Sequence, residues 1–170
     1  MLDLIRDLYA HMEWADERLW RELLANSRAS ADDSVLDLLA HLHSTQHAFL
    51  DVWKGRDVKL RKRGDFSDAA EMAGWANRFH VEVRDVLQTI NPKQLTATLS
   101  IPWARYFRGV LGREPEQVTM AESCVQVAMH TTHHRAQIAR HFRALGGNPP
   151  IVDYIAWLWL GRPVVVWPSA

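Results

Sequence analysis
A chain of 170 residues, 48% hydrophobic and 24% charged, can bury about two-thirds of its unfolded surface in one soluble domain, which argues against wholesale disorder. Twenty basic residues against twenty acidic ones give a formal charge of zero, so the electrostatic footprint of a nucleic-acid or anionic-membrane binder is missing.

The first predicted element is a helix over Leu2 to Leu24, where Leu4, Ile5, Leu8, Met12, Ala15, Leu19 and Leu23 recur at helical spacing. Acidic residues in every turn leave no apolar stretch for a signal peptide or membrane anchor, so a cytoplasmic protein is expected. The polar run 26–33 interrupts the pattern. Asp33 or Ser34 then caps a second helix carrying Val35, Leu38, Leu39, Leu42, Gln46, Phe49, Leu50 and Trp53, with Gly55 ending it. Residues 54–65 are basic and aperiodic and read as a loop. Ser67 caps a third helix running to about Ile90, where Asn91-Pro92 stops it. Over 96–115 the apolar Leu99, Ile101, Trp103, Tyr106 and Phe107 sit among Pro102, Gly109 and Gly112, too irregular for a long helix, and read as an extended crossover. Thr119 and Glu122 form a capping box for a fourth long helix that ends at Leu145, before Gly146-Gly147-Asn148-Pro149-Pro150. Residues 151–160 read as one more helical piece and 161–170 as a tail. Four long helices and one long crossover in a single domain, 1–170, predict an all-α four-helix bundle, a class that holds metals and cofactors between facing helices.

Chemistry concentrates in nine histidines, seven of them in two groups: His41, His43 and His47 on the second helix, and His130, His133, His134 and His141 on the fourth. His11 and His80 stand alone. His130 and His134 are four apart, with Cβ atoms about 6 Å from each other, and can turn imidazole nitrogens toward one ion. The intervening Thr131-Thr132-His133 lacks the glutamate of H-E-x-x-H, which excludes a zincin protease. Helical period extends the pair through Gln137 to His141 as one polar strip. If it faces the interior it needs partners, since each unpaired buried polar group costs about 1–3 kcal/mol. A bound metal satisfies the strip; hydrogen bonds alone are the other solution. His41, with Asp37 one turn before it, is the best-placed third ligand, and His47 is the reserve. Three protein ligands leave a coordination position open, as in catalytic sites.

Other candidates are weaker. Cys124, on a different helix face from His130, reads as a small buried residue rather than a nucleophile. His141 reads as a cation at the helix end or as a proton shuttle. Arg105, Arg108 and Arg113 read as solvated loop charges, the alternative being an anionic cosubstrate site. No Glu-x-x-His pair occurs, which sets aside carboxylate-rich di-metal chemistry. The eight tryptophans read as core and interface residues.

On these residues the sequence resembles the DinB family, the DinB/YfiT-like metalloenzymes. His41-Leu42, Gln46, Phe49 and Gly55 follow that family's second-helix pattern. His130, His134-Arg135-Ala136-Gln137, Leu145-Gly146-Gly147, Pro149-Pro150 and Asp153 follow its last helix and turn, and Trp14-Ala15-Asp16-Glu17 resembles its first helix. Two positions depart: Gln46 stands where an acid is usual, which weakens any second-helix carboxylate as general base, and Ala136 stands for glycine. The resemblance spans nearly the whole chain. It implies an up-down-down-up bundle, often dimeric, whose metal is held by His41, His130 and His134, with Asp37, Gln46, Arg135 and Gln137 as supporting residues.

Relatives include low-molecular-weight-thiol S-transferases, a thiol-dependent isomerase and metal-dependent hydrolases, so the resemblance does not choose the reaction. The expectation is a homodimeric enzyme in which a divalent ion, zinc or nickel, activates water or a thiol cosubstrate against a small molecule. The alternative is a non-catalytic, metal-binding or stress-related dimeric bundle.

Overall fold
A stripe of buried Ile5, Tyr9, Met12, Leu19 and Leu23, at helical spacing, turns α1 (Leu2–Leu24) toward the core of the computed structural model, which describes residues 1–168. The last two tail residues lie outside it. Asp32 accepts a hydrogen bond from the Val35 amide and starts α2 (Asp33–Trp53); Asp68 does the same from Glu71 and starts α3 (Ala69–Thr89). These replace the caps expected at Asp33 or Ser34 and at Ser67. Asp33 already lies inside the helix, and the Ser67 amide and hydroxyl both donate to the Glu71 carboxylate instead.

The crossover differs from the extended segment expected from its irregular pattern. Asn91 caps a single turn, α4 (Pro92–Leu95), with Pro92 in its first turn, where a missing N–H costs nothing. β1 (Thr98–Leu99) pairs antiparallel with β2 (Val118–Thr119), Thr98 opposite Thr119 and Leu99 opposite Val118. Between them run a 3-10 turn, Ala104–Phe107, and the one-turn α5 (Arg108–Leu111), which Gly112 ends at φ 67°. Runs this short leave no periodicity to read. Thr119 then caps α6 (Met120–Ala144) in a box with Glu122, as expected, and the final helical piece is α7 (Tyr154–Trp159).

The protein is all-α apart from that strand pair. The extensive contacts join α2 to α6, α6 to α1, α1 to α3 and α3 to α2. Their inner faces form two apolar clusters, one around Trp20, Leu39, Met72 and Phe142, the other around Tyr9, Leu50, Phe79 and Val127. α1 and α6 run from the second cluster to the first, α2 and α3 from the first to the second. Trp157 of α7 packs on Trp14 and Ala15 at the outer side of α1. Among the described residues no helix is long and apolar enough to cross a membrane.

α6 ends where Gly146 takes φ 84°, and the next glycine is held by packing: a Cβ on Gly147 would stand 2.0–2.5 Å from three ring atoms of the buried Phe142. Gly147→Ala should therefore cost about 1–3 kcal/mol, read as a lower urea midpoint with unchanged slope. Gly64→Ala, with nothing within 4 Å, should change stability by less than about 0.5 kcal/mol.

Candidate metal centre
The α2–α6 contact brings His41 beside His130 and His134, which lie one turn apart on α6. Each offers one ligand nitrogen, and the three lie within 4.8 Å of one another. Ring centroids are 4.3 Å apart for His130–His134, 4.6 Å for His41–His134 and 5.1 Å for His41–His130. Gln137 Oε1 accepts from His134 Nδ1 at 2.8 Å, so the proton sits on Nδ1 and the lone pair on Nε2. Gln137 Nε2 donates onward to His133 Nε2 at 3.0 Å.

Burial, and then the neighbouring imidazoles of His134, His41 and His133, push His130 down to about 4. Burial and His41 lower His134 as well. Near neutral pH these rings are uncharged, which is the ligand form. His130 Nδ1 is buried without a hydrogen-bond partner among the described residues. Three converging imidazoles, one with its proton fixed and one with an orphaned nitrogen, fit a divalent metal ion by donor chemistry.

His41 and His130 stand in the wall of a cavity of about 670 Å³ bounded by α2, the 54–65 loop, the crossover and α6. Its lining is mostly apolar, with Phe49 and Trp103 set edge to face at 5.0 Å. Asp37, exposed one turn before His41, lines the same cavity.

The remaining expected site residues lie elsewhere. Gln46 and Arg135 are buried on the inner side of the helices. His47, the reserve ligand, is not in the cluster: its Nε2 donates to the Trp75 carbonyl at 3.0 Å and its ring stacks on the Trp75 indole at 4.2 Å, because its position on α2 faces α3 rather than α6. Cys124 is buried, and burial pushes its thiol up to about 12, which leaves no thiolate at neutral pH. His141 is exposed in the last turn of α6. Arg105, Arg108 and Arg113 are exposed, the last two paired with Glu114 and Glu116.

Sequence reasoning missed most of a buried polar layer. Asp16 Oδ2 accepts from Gln46 Nε2 at 3.0 Å and His80 Nε2 at 3.1 Å, and Asp16 Oδ1 lies 3.4 Å from Arg135 Nε. Gln46 Nε2 also donates to Thr131 Oγ1 at 3.1 Å, while its Oε1 accepts from His43 Nδ1 at 2.8 Å. His43 Nε2 in turn accepts from Trp20 Nε1 at 2.9 Å, which fixes a neutral tautomer. Burial alone would raise the Asp16 pKa, but Arg135 and the His80 hydrogen bond outweigh it and hold the carboxyl well below the usual range. The available signal was positional: Asp16 lies four residues from the core residues Met12 and Trp20, and Arg135 lies three before core Ile138.

Asp16→Asn should cost about 3–5 kcal/mol by leaving Arg135 buried without its counter-charge, and adding Arg135→Met should recover part of the loss in chemical denaturation. A pH effect follows from His47, which burial pushes down to about 4 against the opposing pull of the Trp75 carbonyl. The unfolded chain protonates this residue near pH 6.5, so its contribution is whole above about 6.5 and lost as pH falls toward 4. The urea midpoint should thus be lower at pH 5 than at pH 7, by a difference that His47→Gln narrows.

A protein of Bacillus subtilis (strain 168) named Uncharacterized protein YizA is 25% identical over 142 residues, 84% of this chain and 83% of that protein. The sequence profile of the DinB family matches residues 1–163, a span that holds all three clustered histidines, and the chain belongs to the DinB family.

Proposed function
We propose that this DinB-family protein is a metal-dependent enzyme in which His41, His130 and His134 hold one divalent ion, zinc or nickel, beside a cavity that takes the substrate. The observation that carries this reading is position: the three histidines converge where two of them form the cavity wall, so a reactant in the cavity meets the coordination sphere. When bound, the ion supplies Lewis acidity and lowers the pKa of a water or low-molecular-weight thiol, so hydrolysis and thiol S-transfer are both within its chemistry.

The chain's own residues orient and exclude. Gln137 holds the His134 ring with its Nε2 lone pair forward, and His133 holds Gln137. Thr131 and Arg135, each one residue after an α6 ligand, tie that helix to α2 and α1. Phe49, Trp103 and Phe107 keep bulk water from the cavity's apolar side. Gln46 is turned into the buried layer, so Asp37 is the carboxylate that α2 contributes to the cavity wall.

This reading includes a single domain folded as an up-down-down-up four-helix bundle, supported by the opposite order in which α1 and α6, against α2 and α3, pass the two apolar clusters. A homodimer is part of it. The open cavity favours an enzyme over a non-catalytic metal binder, whose site would be closed.

Elemental mass spectrometry on untagged protein should find about one equivalent of metal, lost in His130→Ala and His134→Ala. Gln137→Leu should weaken the affinity about 10–100-fold. Wild-type protein that stays metal-free after addition of zinc and nickel would overturn the proposal. With metal bound, saturable dependence on a small thiol identifies a transferase, and turnover without thiol a hydrolase.

A further inference from the structure
We infer that the cavity takes an uncharged molecule with a flat, aromatic body, and that the basic row Arg61-Lys62-Arg63 at its mouth is not an anion site. This deepens the proposed function and rests on it only for which end of the molecule would react.

The volume, about 670 Å³, is in the range of small-molecule pockets. Ala40, Ala48, Phe49, Leu60, Trp103 and Phe107 supply its apolar surface, and His41, Ser44, Thr45, Gln126 and His130 are among the polar residues that line it. The Phe49–Trp103 pair, at an interplanar angle of 88°, offers a flat ring one aromatic face and one aromatic edge. At the mouth Leu60 is 70% exposed and Phe107 52%, apolar area that a bound aromatic molecule would cover.

The charges point the same way once their partners are counted. Arg61 pairs with Glu71 at 3.2 Å and lies over the Phe66 ring at 3.8 Å; Arg63 pairs with Asp33 at 3.2 Å. Asp37 and Asp65 line the cavity as well. Three cations against these four carboxylates leave no positive excess to recruit an anion, so apolar contact is the selective force.

The test is isothermal titration calorimetry of the full chain, metal-loaded and metal-free, with three probes: neutral 2-acetylnaphthalene, anionic 2-naphthoate and inorganic phosphate. The neutral probe should bind at one site at least as tightly as the anion, within about threefold in the two metal states, and phosphate should not bind. Ala48→Trp, which fills the cavity, should weaken the neutral probe at least about tenfold. Because Ala48 is buried, the double variant Leu60→Ser/Phe107→Ser, at exposed positions, provides a second reading and should weaken it at least about fivefold.

Absence of neutral-probe binding, tighter binding of 2-naphthoate, or affinity unchanged in the double variant would each overturn the inference. A wild type that takes up neither zinc nor nickel yet binds the probe would end the metal reading alone. Stoichiometric metal without probe binding would do the reverse.

Discussion
The Asp16 carboxylate sits between the two apolar clusters and takes its partners from every other long helix: Gln46 from α2, His80 from α3 and Arg135 from α6. An ionised group so deeply buried is tolerable only when its lone pairs and charge are answered together. A slip of any helix by one turn would leave Asp16 or Arg135 unanswered, whereas the leucines and alanines around them would repack at smaller cost. The layer therefore fixes the register of the four helices, and the apolar clusters supply the bulk stability.

That register is what assembles the candidate metal centre. His41 and His130 are 89 positions apart in the chain and meet only if α2 and α6 are aligned to within a fraction of a turn. Thr131 and Arg135 anchor α6 from its inner side, and of the residues before them His130 stands in the cavity wall and His134 beside His41. Gln46 shows why an amide suits this layer: its nitrogen donates to Asp16 and Thr131 while its oxygen accepts from His43. An ionised carboxylate in its place would face Asp16 with two acceptors and no donor.

The long helices were legible because their apolar residues recur at 3.6-residue spacing, and the capping box at Thr119 because it is local. The histidine cluster was legible for the same reason on α6, where the pair lies within one turn; His41 came from its place on a second histidine-bearing helix with Asp37 one turn before it, and the family pattern points to the same residue. What stayed hidden depends on contacts distant in sequence. Asp16 looks like an ordinary surface charge until α1 meets α6, His80 like a lone histidine, and Trp103 like a loop residue until the crossover folds over Phe49. His47 shows the converse: sharing a helix with His41 made it a reserve ligand, but the turn of α2 sends it to Trp75.

The crossover is fastened at its base by the β1–β2 pair, where Thr119 also caps α6, while Tyr106, Val110 and Leu111 project into solvent. Its tip can thus be rewritten with little disturbance to the helices that carry the histidines. Divergence is separated from folding: a lineage can exchange the cover of the cavity, and with it the range of molecules admitted, while the same ligand platform is inherited unchanged.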